Sequence, residues 1–447
     1  MEPPARPPGP APRLPVPPHL AGHRTQARGT RGAMNEVVVT GVGVLNSVAD
    51  GPDSYAAALA AGRSGVRAAD VAAEARTSVG AWLDGFSVSA WADRQLRDDP
   101  DADRLAAVSR RAALPARTAA CAALAAVRHA LLGPEQRSGA ALIVAGNNLA
   151  LDYHADVLHR FRERPGSLRP SHALTHLDTD VVGVVSEVTG IAGEGWTAGA
   201  ASASGTLAVI LGARMVAAGE TDTCLVVAPV SELSAAELRA FHDSGAMAGS
   251  HGTDEPWQVC RPFDARRRGF VYGQGAAAVV LESRERAGRR GARRMAGIAG
   301  WGQRLDARRG TEPDPSGQAA AMRAALGRAG VEPAAVDYVN AHGTGSVVGD
   351  AAEARALAEV FGPGNRPLIN STKPLVGHCL ASAGLQELVA TILQLRGGFA
   401  HPNPNLAEPV DPALAFVGPT ARRGALHVAL SNSVAFGGIN AAIVVRR

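Results

Sequence analysis

Residues 273–282 read GQGAAAVVLE, and residues 437–445 near the other end of the chain read GGINAAIVV. Each is a glycine turn followed by small and β-branched apolar residues, the pattern of a strand buried on both faces. Their likeness points to a duplicated α/β unit with its seam near residue 285. The stretch ESRERAGRRGARR (282–294) at that seam is charged and interrupted by glycine, as a surface connection should be.

Outward from these two strands the alternation continues. VVVTGVGV (37–44), ALIVAGNN (141–148) and TDTCLVVAPV (221–230) read as further buried strands of the first half. RMAGIAGWG (294–302), VDYVNAHG (336–343) and PLINSTK (367–373) read so in the second. Residues 54–62, 105–132, 349–361 and 383–398 have helical spacing, and VVGVVSEVTG (181–190) reads as a helix capped by Gly190. Strands alternating with helices imply sheets covered by helices. The expected organisation is a Pro/Arg-rich leader over 1–33, a first half over 34–285 and a second half over 286–447.

Composition narrows the function classes. Of 447 residues, 46% are hydrophobic and 19% charged, which suits a globular protein rather than a disordered one. The formal net charge is only +4 with acids and bases interspersed, so no nucleic-acid footprint is expected, although a modest basic patch could dock an acidic carrier. No apolar run approaches the roughly 20 residues of a membrane span. Cys121, Cys224, Cys260 and Cys379 have no ligand-like spacing, so neither a metal site nor a disulfide framework is expected, and a reducing cytoplasm is. The basic residues are almost all Arg; Lys373 is the single Lys. An ammonium kept alone among guanidiniums is a candidate for work that Arg cannot do.

Four local signatures carry chemistry. GWTAGAASASGTLAV (195–209) is a short turn running into a helix of small residues, whose N-terminus suits a nucleophile or an oxyanion. NAHGTGSVVGDAAEARAL (340–357) puts His342 in a glycine turn after a strand, with Asp350 and Glu353 on the following helix. NSTKPLVGHCLASAG (370–384) holds Lys373 and, five residues on, His378. SNSVAFGGINAAIVV (431–445) sets Phe436 before two glycines. Each alone reads equally as packing: a buried helix, two structural histidines, a hairpin with a core Phe.

Together and in this order, with RPFDARRRGFVYGQGAAAVVLE (261–282), the signatures resemble the β-ketoacyl-[acyl carrier protein] synthases, or ketosynthases. The resemblance spans residues 35–447. It implies a thiolase-like α-β-α-β-α layered fold built from two duplicated halves, usually dimeric. It implies a Cys-His-His site for acyl and malonyl groups that arrive on the phosphopantetheine of an acyl carrier protein, with no bound cofactor and no metal. In such a site the Cys takes the acyl group as a thioester, and the two His stabilise the enolate left when malonyl loses CO2. His342 and His378 fall on the family's His positions, and Lys373 on its Lys, paired with Glu353. Thr344 and Ser346 fall where hydroxyls contact pantetheine. Phe436 falls on the gating Phe whose N–H helps form the oxyanion hole.

The chain departs from the family at the nucleophile. The expected position reads Ala198-Gly199-Ala200, with Gly199 in place of Cys. Ser202 and Ser204, three and five residues further, are expected to point elsewhere, so condensation by this chain alone is not expected. Arg268 and Gln274 stand where the family usually has acids, at the dimer surface or the tunnel lining. Three functions follow. The first, slightly ahead, is a chain-length-factor-like partner that forms a heterodimer with a Cys-containing ketosynthase. The second is a malonyl-carrier-protein decarboxylase using His342, His378 and Lys373; the chain is expected to form either a homodimer or the heterodimer with a Cys-containing ketosynthase. The third is an inactive carrier-binding scaffold.

Overall fold

The computed structural model describes residues 34–97, 99–249, 255–363 and 367–447; the leader expected over 1–33 lies outside them. In chain order the first half contributes β1 (Val37–Asn46), α1 (Leu114–His129), β2 (Ala141–Ala145), α2 (Thr179–Thr189), β3 (Gly195–Ala198), α3 (Ser204–Ala218), β4 (Thr223–Ala228), α4 (Ala235–Asp243) and β5 (Gly275–Ser283). The second contributes β6 (Ala296–Leu305), α5 (Pro315–Ala329), β7 (Tyr338–Asn340), α6 (Val347–Phe361), β8 (Leu368–Asn370), α7 (Ala383–Gly397), β9 (Val428–Ala435) and β10 (Ile439–Arg446).

The ten strands run in the order β3-β2-β4-β5-β1-β6-β10-β9-β7-β8. Read outward from the β1/β6 seam, each half has the same order: first strand, fifth, fourth, second, third. Within each half the second strand pairs in parallel with both neighbours, and the fifth runs antiparallel beside the first. The halves join through a short antiparallel contact in which Val37, Val38 and Val39 face Ile298, Gly297 and Ala296.

Strand alternation sorts the side chains into layers. Leu142, Val144, Leu225 and Val227 point to an outer core shared with α1 and α2. Their neighbours Ile143, Ala145, Val226 and Ala228 point to a central core with α3 and α7. In the second half Leu430, Ala442 and Val444 face α5 and α6, while Ala429, Ala441, Ile443 and Val445 face the central core. The result is five layers: helices, half-sheet, the α3/α7 pair, half-sheet, helices. A strand covered on both faces must be apolar throughout, which is why these segments read as continuous hydrophobic runs.

α7 is buried from Ala383 to Leu395, and its polar residues tie it to both half-sheets. Gln386 donates to the carbonyls of Leu45 and Ala276 in the first, and Gln394 donates to the Tyr338 hydroxyl in the second. α3 continues a three-residue turn, and Ala201–Ala218 is long and apolar enough by composition to cross a membrane. Here that apolarity belongs to a helix enclosed by protein.

The duplication reaches individual glycines. On β1, a Cβ at Gly41 or Gly43 would lie 2.2 Å or 2.0 Å from the carbonyl oxygens of Ala126 and Ala122 on α1. On β6, a Cβ at Gly300 or Gly302 would lie 2.4 Å or 2.1 Å from those of Ala325 and Ala321 on α5. In both halves a Gly-x-Gly strand meets an Ala-x-x-x-Ala helix face, so backbone packs on backbone.

Two helical expectations need correction or completion. The helix expected over 105–132 is two, Pro100–Ser109 and Leu114–His129, because Pro115 opens the second and has no N–H for an earlier turn. Helices α4 and α5 were not read from the sequence, although Ser234 and Glu237 form a capping box at the start of α4 and the Asp314 carboxylate accepts from the Ser316 N–H at the start of α5.

Gly302→Ala is expected to destabilise the protein by about 1–3 kcal/mol, because the neighbouring α5 backbone must shift. Gly327→Ala on the same helix meets nothing within 4 Å and should be neutral or stabilising by up to about 1 kcal/mol. Denaturant unfolding of the two variants checks the contrast.

Candidate active site

The site opens where β3 ends. Ala201 has φ +45°, a left-handed conformation that costs a non-glycine residue on the order of 1–3 kcal/mol. Ser204 holds this elbow: its Oγ accepts from the Ala200 N–H at 2.8 Å and donates to the Ala201 carbonyl at 2.7 Å. The elbow turns Ser202 into the cavity, where its Oγ lies 2.9 Å from Nε2 of His378.

This corrects the sequence expectation twice over. Ser202 does not point elsewhere; it faces the histidine at the mouth of α3. Gly199 does not occupy that place. It lies before the elbow against Asn147, whose Oδ1 would be 2.5 Å from a Cβ at Gly199. The side chain opposite His378 is therefore a hydroxyl.

His342 follows β7 on a turn clamped from both sides. The Glu353 carboxylate accepts from the backbone N–H of His342 at 2.8 Å and of Gly343 at 2.7 Å, and from Nδ2 of Asn432 at 2.7 Å. From the opposite side, the Lys373 ammonium donates to the His342 carbonyl. The carboxylate paired with Lys373 is Glu387 of α7, at 2.5 Å, with both side chains only 1% exposed. The expected Lys373–Glu353 pair is thus replaced: Glu353 is occupied by the turn's own N–H groups, and Glu387 takes the ammonium.

Burial, with the Lys373 charge and then His378, holds His342 well below the ordinary histidine range. Burial and Lys373 do the same to His378. Both imidazoles are neutral at neutral pH. Their rings stand nearly perpendicular, 5.4 Å apart. Nδ1 of each is buried with no hydrogen-bond partner among the described residues.

The cavity around Ser202, His342 and His378 is about 280 Å³. The second half adds Thr344, Ser346 and Phe436 to its lining, and the first half adds Asn147, Asn148 and Phe241. The Ser346 hydroxyl caps α6 by accepting from the Gly349 N–H at 3.3 Å, and the Thr344 hydroxyl accepts from the Ser346 N–H at 3.2 Å. Phe436 stands 41% exposed in the β9–β10 turn. Its ring begins an aromatic series: 6.2 Å to Phe241, then 5.5 Å to Phe270, then 5.2 Å to His378. Sequence reading missed Glu387, Phe241 and Phe270. Glu387 carried a signal, since a carboxylate in a helix apolar on every side needs a buried cation.

Of the two unassigned positions, Gln274, immediately before β5, accepts from the Leu83 N–H at 3.1 Å and so ties β5 to the stretch of chain between β1 and α1. Arg268 is exposed.

Model matches follow the same two halves: the β-ketoacyl synthase N-terminal domain over residues 34–287 and the C-terminal domain over 295–407. The chain belongs to the β-ketoacyl synthase family. Among its relatives is the polyketide biosynthesis malonyl-ACP decarboxylase PksF of Bacillus subtilis (strain 168), 35% identical over 93% of this chain and 98% of that protein. Another is the chloroplastic 3-oxoacyl-[acyl-carrier-protein] synthase II of Arabidopsis thaliana, 30% identical over 91% of this chain and 75% of that protein. Among solved structures, the ishigamide ketosynthase/chain length factor superposes with a TM-score of 0.81 at 30% identity, covering 93% of this chain and 99% of that one.

Two predictions follow for this member of the family. Ser202→Cys puts a thiol beside His378 and should acquire an acetyl group from acetyl-carrier protein; Gly199→Cys should not. Intact-protein mass spectrometry reads the 202 and 199 variants side by side. Lys373→Met leaves the Glu387 charge buried alone and should cost about 3–5 kcal/mol. Adding Glu387→Gln should recover a large part of that loss in the same unfolding experiment.

Proposed function

We propose that this ketosynthase-family chain is a decarboxylase that converts a malonyl thioester on acyl carrier protein into the acetyl thioester. The observation that carries the reading is the hydrogen bond between Ser202 and His378 in a site that keeps both neutral histidines and the buried Lys373–Glu387 pair. A hydroxyl beside a histidine held far below its ordinary basicity is a poor nucleophile, so the acyl-transfer step of condensation is disfavoured. Decarboxylation needs no nucleophile.

In the proposed reaction, pantetheine lies along Thr344 and Ser346, and the thioester carbonyl oxygen accepts hydrogen bonds from His342 and His378. The bond between the carboxylate carbon and the α-carbon breaks and CO2 leaves. Its electron pair moves through the α-carbon to the carbonyl oxygen, giving the enolate. Neutral imidazole N–H groups fixed before the reaction stabilise that developing charge without solvent reorganisation. The α-carbon then takes a proton from water, leaving acetyl. Ser202 holds the His378 ring in place. Lys373, through the His342 carbonyl, orders the His342 turn. PksF, which is similar over almost its whole length, carries the name of this activity.

The similarity to a ketosynthase/chain length factor favours a second reading, in which the chain pairs with a Cys-containing ketosynthase. It ranks below the first because the site retains the groups that decarboxylation uses. Either role implies a dimer and a carrier protein as partners.

Purified chain incubated with malonyl-carrier protein should produce acetyl-carrier protein, read by mass spectrometry. His342→Ala should lower the rate about a hundredfold or more, the cost of one lost oxyanion donor. No acetyl product from the wild-type chain would remove this reading and leave the partner-subunit one. The rate should also hold from about pH 8 down to about pH 6. A histidine in its ordinary range protonates near the bottom of that window, whereas these two stay neutral.

A further inference from the structure

Away from the cavity, several chain segments bring arginines to one end of the sheet. β6 and β10 run antiparallel, with Leu305 beside Ile439 at one end and Gly297 beside Arg446 at the other. The cavity lies at the Ile439 end, where Gly438 lines it. Arg293 and Arg294 lead into β6 at the opposite end, and Arg447 follows β10 there. Arg396, in the last turn of α7, reaches the same place: its guanidinium donates to the carbonyls of Arg294 at 3.1 Å and Met295 at 3.4 Å. Just past α7, Phe399 and Ala400 pair with Arg423 and Arg422. At about 3.3 Å per residue, the run from Ile439 to Arg446 sets this cluster roughly 20 Å from the cavity.

These charges are crowded and unbalanced. Arg293, Arg294, Arg422, Arg423 and Arg447 are exposed. The acids at this end of the sheet are committed elsewhere: Glu36 to Arg284, Asp222 to Arg289 and Glu282 to Arg290. Asp337 accepts from the N–H groups of His427 at 2.7 Å and Val428 at 2.9 Å. Among the described residues none of the six arginines forms an ion pair. Burial, then the charges of Arg293 and Arg447, hold Arg396 below the ordinary guanidinium range. Like charges gathered without counter-charge favour an anionic occupant.

Neither the residues before Met34 nor a two-fold-related copy supplies that occupant. Residues 1–33 hold five Arg and one Glu, a charge of the wrong sign. A second copy meeting this surface across a two-fold axis would set arginine against arginine. None of these segments carries an exposed aromatic ring to stack on bases, and the net charge of the chain is only +4. Both points favour protein carboxylates over nucleic-acid phosphates. We propose that this arginine cluster is a docking surface for an acidic partner protein, engaged through carboxylates and separate from the mouth of the active-site cavity. The assignment does not depend on which reaction the cavity performs.

The test is a binding measurement, independent of turnover. Fluorescence anisotropy of a labelled polyglutamate peptide with the full chain should show binding that weakens as salt rises. The triple variant Arg293→Gln/Arg294→Gln/Arg447→Gln should weaken it by about tenfold. A control, Arg160→Gln/Arg162→Gln/Arg164→Gln, loses the same charge from exposed positions in and just after the helix Leu151–Glu163. It should shift the affinity by less than about twofold. If the first variant does not fold, Arg422→Gln/Arg423→Gln decides, with an expected loss of about threefold. No binding by the wild-type chain would overturn the proposal, and so would equal losses in the cluster and control variants. Tighter binding of a DNA duplex of matched charge would also overturn it, giving the surface to nucleic acid.

Discussion

The buried ion pair between Lys373 and Glu387 is the contact on which the site depends. Its ammonium links three elements: the turn after β8 that carries it, the central helix α7 that carries Glu387, and the turn after β7 whose His342 carbonyl it holds. A pair this far from water is not a source of net stability, since desolvating two charges offsets most of their attraction. Its value lies in geometry and field. One partner cannot leave without stranding the other, so the turns stay in register with the helix. The fixed positive charge also acts with burial to keep both histidines neutral. Protonation state and position thus come from the same contact.

Around that contact the fold has a simple logic. Two half-sheets enclose a helix pair, and the active-site residues sit where strands and helices of both halves end near the pair. Ser202 comes from the mouth of α3, His342 from the end of β7, and His378 from the turn leading to α7. The Gly-x-Gly strands packed on Ala-x-x-x-Ala helices in both halves keep the outer layers close. The duplicated strand order gives each half the same frame. Catalytic groups are then differences written on a repeated scaffold.

Much of this was legible in the chain. The apolar runs gave the strands because a strand covered on both faces has no polar side to show. The likeness of GQGAAAVVLE and GGINAAIVV exposed the duplication. His342, His378, Lys373 and Phe436 were found by their turns and their order, and the structure brings them to one region. What failed was register within GAASASG. A run of small residues carries no marker, and the left-handed Ala201 that starts the elbow is spelled with a residue that gives no sign of it. Three positions of slip turned a serine beside His378 into an apparent void at Gly199. The Lys373 partner failed for another reason: Glu353 and Glu387 are both buried acids near the Lys, and only the three-dimensional path shows that backbone N–H groups already occupy the first.

The claim at the centre is that this site makes an enolate by loss of CO2. Its most direct test is turnover of malonyl-carrier protein in heavy water, with the acetyl methyl group read by NMR. The account predicts an acetyl group carrying a single deuterium, the solvent's proton having been delivered to the α-carbon after CO2 departs. Malonyl that remains intact, or that exchanges its α-hydrogens without losing CO2, would contradict it.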